Sequence, residues 1–323
     1  MDLAPILDMA PPNERPPEVV TLGETMTLFW PVDGAPLDAA IHWESSLGGA
    51  ESNLAVALAR LGHPARWISR LGDDPFGRLI RATLRREGVV VDAPPDPRAP
   101  TAVFFKERSA HGPRRVVYYR RGSAASRMAP DDLSAAQFAG ARVLHVTGIT
   151  PALSASCAAA VDRAVALART EGLLVSVDPN VRLQLWPSRE ACRAALTKLV
   201  SRADLVLLGH EDAEVLYPGL DEAGVLAAIS AAGPRIVALK LGERGARGVR
   251  DGEQAAVEPY PVAAVDTVGA GDGFDAGFIA GLLRGYPFAR CLALGARVGA
   301  AAVAAAGDWE GYPLARDLEP DYH

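Results

Sequence analysis

From Val19 onward, short runs rich in β-branched residues alternate with longer segments of helical composition, and this alternation constrains the fold more than any other feature. VVTLG is followed by GGAESNLAVALARLG, and ARWISRLG by DPFGRLIRATLRREG. RVLHVTGI, LLVSVDPN and DLVLLG then alternate with SASCAAAVDRAVALARTEG and REACRAALTKLVSRA. Apolar runs of strand length belong to strands buried on both faces, and strands separated by helices pair in parallel. The expectation is an α/β protein, with a mostly parallel sheet between two helical layers. No segment repeats at a period of roughly 20 to 50 residues, which argues against a solenoid or propeller.

Two stretches break the pattern. TAVFFKE and RRVVYYRR are strand-like runs separated by SAHGP, a hairpin signal without a helix. TMTLFWPV and AAIHWESS form a similar pair. These segments, near 26–46 and 98–122, are expected to build a small β-layer projecting from the main sheet. Residues 1–17 contain five prolines and little apolar periodicity, and read as a tail before a domain spanning 18–323.

With 323 residues, 49% apolar and 22% charged, the chain has the composition of a globular protein able to bury a sizeable core. Its net charge of -6 repels polyanions, so nucleic acid is not an expected partner. Cys157, Cys192 and Cys291 are far apart and form no CxxC pair, as in a reducing cytosol. The first residues lack a basic region followed by an apolar one, and no run reaches about 18 apolar residues. Neither export nor membrane insertion is expected, and the location read from the sequence is cytoplasmic.

Several local patterns carry chemistry. In DTVGAGDGF, Asp266 follows the strand-like VAAV, and Gly269, Ala270 and Gly271 precede a run of helical composition. Small residues at a helix start leave backbone N–H groups accessible, and these with the helix dipole favour an anion such as phosphate. Asp272, in the first turn, has its ionised form favoured by the same dipole and can accept a proton. A turn with a capping aspartate accounts for this stretch alone equally well. Gly48 and Gly49 open the first helix and allow close approach of a ligand, with Asn53 one turn later offering a donor and an acceptor. Alternation on RRVVYYRR sends Tyr118 and Arg120 to one face, where they can hold a carboxylate or hydroxyls, although a solvated basic strand would read the same. Asp178, Asn180 and Arg182 cluster where a buried strand ends, the place at which open α/β sheets bind ligands. LKLGERGA runs from Lys240 into Gly242 and Gly245. There is no GxGxxG, no GK pair and no metal-ligand histidine pair.

The order GGAESN, SVDPNVR, LKLGERGA, DTVGAGDGF, AAGDWEG resembles the PfkB carbohydrate kinases of the ribokinase fold, from about Val19 to Asp317. DTVGAGD is the most specific of these motifs. Within the family, GGAESN, YYRRGSA, TGITPALS, DPNVRLQLW and GDWEG look like 2-keto-3-deoxygluconate kinases. The resemblance implies a ribokinase-like αβα sandwich with a β-sheet lid, and phosphoryl transfer from ATP to a hydroxyl of a sugar or sugar acid. It implies Asp272 as the base, and the amides from Gly269 through Ala270 and Gly271 as the anion hole. ATP would meet Asn180, Lys240, Gly242, Gly245, Gly269 and Gly271. The sugar would meet Gly48, Gly49, Ala50, Asn53, Phe104, Tyr118, Arg120, Arg182, Asp272 and Asp308.

Mg²⁺ is implied with ATP, and K⁺ at the loop containing Asp266. Two departures stand out. Where the family carries NxxE, the chain reads Gly209, His210, Glu211, Asp212, so Asp212 is the acidic residue left to reach a metal through water. Phe104 stands where some relatives place a tyrosine. A fructokinase or ribokinase acting on a neutral sugar, or a sugar-binding relative without catalysis, are the alternatives. Exposed lid strands would also favour a homo-oligomer.

Overall fold

In the computed structural model, which describes residues 15–32, 34–107 and 115–318, the alternation becomes a layered α/β architecture. The SAHGP turn, Arg114 and residues 1–14 of the expected tail lie outside the described residues. The chain enters as β1 (Val19–Leu22), then leaves the main sheet as β2 (Met26–Pro31) and β3 (Trp43–Gly48) before α1 (Ala50–Arg60) and β4 (Ala65–Ile68). A short β5 (Leu71–Gly72), α2 (Pro75–Arg86), β6 (Val90–Asp92) and β7 (Pro95–Asp96) precede β8 (Val103–Lys106) and β9 (Val116–Tyr119). Next come β10 (Val143–Thr147), α3 (Ile149–Leu153), α4 (Ala155–Thr170), β11 (Leu174–Asp178), α5 (Arg189–Val200) and β12 (Leu205–Gly209). The chain continues through α6 (His210–Leu216), α7 (Glu222–Ala231), β13 (Ile236–Lys240), β14 (Ala246–Arg250), β15 (Glu253–Val257), α8 (Ala270–Leu283) and α9 (Phe288–Val303).

The main sheet has nine strands in the order β15-β14-β13-β12-β11-β10-β1-β4-β6. It is parallel from β13 to β6, and β14 and β15 close one edge antiparallel. Alternate side chains leave by opposite faces, as the period of a strand requires. Leu205 and Leu207 of β12 join a cluster with residues of α1, α8 and α9, while Val206 and Leu208 join another with residues of α4, α5 and α7. Each fully buried Leu or Val contributes about 1.5–3 kcal/mol, so the unbroken apolar strands are what hold both layers. The helices form where the sequence signals them. In α4, Ser154 accepts a bond from the N–H of Cys157, and Ala160, Val161, Ala164, Val165 and Ala168 recur on the buried face.

The small sheet has the order β3-β2-β8-β9. Its two hairpin pairs are antiparallel as expected, and a parallel β2–β8 contact joins them. β3 begins at Trp43 and runs through Gly48, a shift from the expected AAIHWESS that carries the strand up to the start of α1. The strand expected over VAAV does not form. Val265 and Asp266 instead both donate to the carbonyl of Val303, at the end of α9. Among the described residues, no helix is long and apolar enough to cross a membrane.

Candidate active site

β1 neighbours both β10 and β4, so the strand order reverses there, and a crevice opens beyond the carboxyl ends of the strands. The ends of β11, β12 and β13 and the inner face of the small sheet line this cleft of about 620 Å³. On its floor, α8 starts at Gly269, whose φ of 78° lies in the left-handed region that favours glycine. No side chain caps this start, whereas Asp74, Ser154, Ser188 and Asp221 cap α2, α4, α5 and α7. The N–H groups of Ala270, Gly271 and Asp272 precede any possible intrahelical bond, so the N-terminus offers donors and partial positive charge to an anion.

Asp272 accepts a 2.8 Å bond from the Asn53 amide, across 219 residues of sequence. Burial pushes its carboxyl up to about 7; Asp178 acts in the same direction, and the Asn53 bond, Lys240 and Arg182 oppose it. Desolvation, the largest of these influences, opposes the preference of the helix dipole for the ionised form. A carboxyl titrating near neutrality is well matched to accepting a proton from a hydroxyl.

The second helix start at the cleft is equally bare. α1 follows Gly49, which has no side-chain cap. A Cβ on Gly48 would stand 2.4 Å from Asp308 Oδ2, and one on Gly49 would stand 2.4 Å from the carbonyl of Glu24. These glycines serve close approach. Asp308 sits in the GDWEG loop, which Arg60 pins by donating to the carbonyls of Trp309 and Tyr312 at 3.1 and 3.0 Å. Burial pushes Asp308 up to about 7, with Lys106 pulling the other way.

From the small sheet, Phe104 and Tyr118 stack with centroids 5.4 Å apart, opposite one another in the β8–β9 register. Arg120 stands over Tyr118 at 5.6 Å, but its Nε donates to Glu24 at 2.8 Å, and Ser123 donates to the same carboxylate. Arg182 is exposed on the cleft, its nearest bond being to the carbonyl of Val181. Asn180 adopts φ 36°, held by its N–H to Asp178 Oδ1, and it too lines the cleft. Asp212 accepts from the N–H groups of Val181 and Gly209 and is pushed up to about 6, chiefly by burial.

Lys240 is turned inward, its Nζ 2.9 Å from both Asp178 and Asp275. These carboxylates hold it protonated far above neutrality despite its burial. Gly242 lines the cleft, whereas Gly245 stabilises the turn behind it: φ is 78°, and a Cβ would stand 2.0 Å from the carbonyl of Val257. Ala50, Gly269 and Gly271 line the cleft; Ala270 and Asp266 do not.

A phosphate-type helix start beside a titrating carboxyl, under a β-layer that carries aromatic and basic groups, suits phosphoryl transfer to a polyol. Residues 16–314 match the model of the pfkB family carbohydrate kinases. This chain belongs to that family. It is 36% identical over 271 residues to the 2-dehydro-3-deoxygluconokinase of Bacillus subtilis (strain 168), covering 83% of this chain and 84% of that one. It is 36% identical over 264 residues to fructokinase-1 of Oryza sativa subsp. japonica, covering 79% and 80%. Among solved structures, a presumed ribokinase II from E. coli in complex with ATP and Mg²⁺ superposes with a TM-score of 0.87, at 27% identity over 94% of this chain and 98% of that one. The protein is thus a carbohydrate kinase with a ribokinase-like fold.

Sequence reasoning about this kinase missed Glu24, Glu51, Lys106 and Asp275. Glu24 and Glu51 are buried carboxyls on the cleft wall, Glu51 accepting from Thr147 and Thr150. Asp275 alone carried a readable signal, as an acidic residue inside the apolar run of α8.

Proposed function

We propose that this kinase transfers the γ-phosphoryl group of ATP to the terminal hydroxyl of 2-keto-3-deoxygluconate, giving the 6-phosphate and ADP. Asp272 takes the hydroxyl proton as the sugar oxygen forms its bond to the γ-phosphorus and the bond to the β-phosphate oxygen breaks. The bare N–H groups at the start of α8 stabilise the charge on the transferring group. Mg²⁺ enters with ATP as part of the substrate. Among the described residues, no group of three or more His, Cys, Asp or Glu stands ready to cage an ion, which suits a cation held mainly by phosphates, with Asp212 at the cleft wall reaching it through water.

One observation carries the acidic substrate: Arg182 is exposed in the cleft within electrostatic reach of both Tyr118 and Asp272. A sugar acid can place its carboxylate on this guanidinium and its far hydroxyl on Asp272. The pairing of Arg120 with Glu24 favours the second reading, a neutral hexose, because it withdraws one of the two expected cations. ADP formation with 2-keto-3-deoxygluconate, fructose and ribose separates them. The acid is expected to have a kcat/KM at least about tenfold above both neutral sugars, the worth of one charge-assisted bond. Arg182→Gln should remove that advantage and leave the neutral sugars unchanged. A higher kcat/KM on fructose, unaffected by Arg182→Gln, would establish the second reading.

A further inference from the structure

Lys106 is a buried cation that the phosphoryl-transfer step does not use. It ends β8 of the small sheet, is 3% exposed, and donates from Nζ to Asp266 Oδ2. Asp308 Oδ1 lies 4.0 Å from the same nitrogen. Asp266 and Asp308 are each 5% exposed and come from two different loops, one leading into α8 and the other following α9. Three separate parts of the chain therefore meet at one ammonium. Removing the ammonium would take a charge partner away from two buried carboxyl groups, which costs free energy unless the loops move.

The K⁺ expected at the Asp266 loop does not fit these residues. The carboxylate that would receive it already holds an ammonium tethered to the small sheet. We propose that the Lys106 ammonium is a built-in monovalent cation, which neutralises the Asp266 and Asp308 loops and sets the small sheet in register with the start of α8. Lys106 is a positioning residue: it acts through the two aspartates. The proposal rests on membership of the carbohydrate kinase family and is independent of which sugar is phosphorylated.

The test compares KCl with choline chloride at equal ionic strength, reading turnover on the fastest sugar and the melting temperature without substrate. Wild-type protein should give the same values in both salts. In choline, Lys106→Ala should lose at least about tenfold in kcat, since small displacements of a reacting group cost about 10² in rate. It should also melt on the order of 5 °C lower, because a buried carboxylate has lost its partner. K⁺ or ammonium should restore part of both. Lys106→Met fills the space without charge, and should be impaired without responding to either ion. Lys106→Arg should remain independent of K⁺. The proposal is overturned if K⁺ activates the wild type more than about threefold, a barrier lower by about 0.65 kcal/mol. It is equally overturned if Lys106→Ala is impaired to the same degree in both salts, or if both uncharged variants turn over like wild type. The melting comparison stands even if no tested sugar is a substrate.

Discussion

Asp272 meets two opposing demands. As a base it must be ionised, yet it lies where burial pushes its carboxyl up to about 7. Protonation would remove the base, so kcat/KM should fall about tenfold per pH unit below 7 and level off above it; a flat profile between pH 5 and 8 would contradict this. Asp272→Asn should cost about 10² to 10⁴ in kcat, with nucleotide affinity by calorimetry unchanged. The same variant has a stability consequence. A carboxyl raised in the folded state contributes stability that is complete below its unfolded value of 3.8 and is lost as pH rises through about 7. Asp272→Asn removes the ionised, poorly solvated form, so its melting temperature should exceed that of wild type at pH 8, and the excess should shrink below pH 7 and vanish only towards about pH 4. A lower melting temperature at pH 8 would mean that the charge is well compensated. Legible in the sequence at this scale was the identity of Asp272 and of the glycines before it, because helix-start chemistry is local. Its shifted titration was not, because desolvation depends on what packs around it.

α8 is apolar around nearly its whole circumference, and such a helix must be buried. It packs against α9 through a glycine seam. A Cβ on Gly277 would stand 2.7 Å from the carbonyl of Leu294, and one on Gly299 would stand 2.8 Å from the carbonyl of Ala270. The seam fixes where the first turn of α8, and therefore Asp272, can stand. Gly277→Ala should destabilise by about 1–3 kcal/mol through overpacking, seen as a lower urea midpoint at constant m-value, and should lower kcat more than it raises KM. An unchanged midpoint would show that the helices can separate without cost. The apolar periodicity of α4 and the helical composition of α2 and α5 made those helices readable, whereas α7, capped by Asp221, was not read. VAAV was misread because its β-branched residues satisfy strand propensity, while the N–H groups of Val265 and Asp266 bond to the end of α9 instead of a strand.

For the whole molecule, the small sheet leaves β3 and β9 as its edges, and Tyr119 at the end of β9 is 65% exposed. We propose that two copies associate through these strands; light scattering at micromolar concentration should give twice the 33.9 kDa chain mass, and a monomer would refute it. Substituting Val116 and Tyr119 by lysine should then yield monomers that retain their fold. By itself the sequence determined the layered α/β architecture, the presence of a small β-layer and the family motifs, because strand and helix periodicities and turn chemistry act over a few neighbouring residues. Only the tertiary structure decided which charges meet: Asn53 with Asp272, Arg120 with Glu24, and Lys106 with Asp266 across 160 residues. Such pairings and the pKa shifts that go with them depend on distance and on loss of water, and both are set by how the chain crosses itself, not by spacing along it.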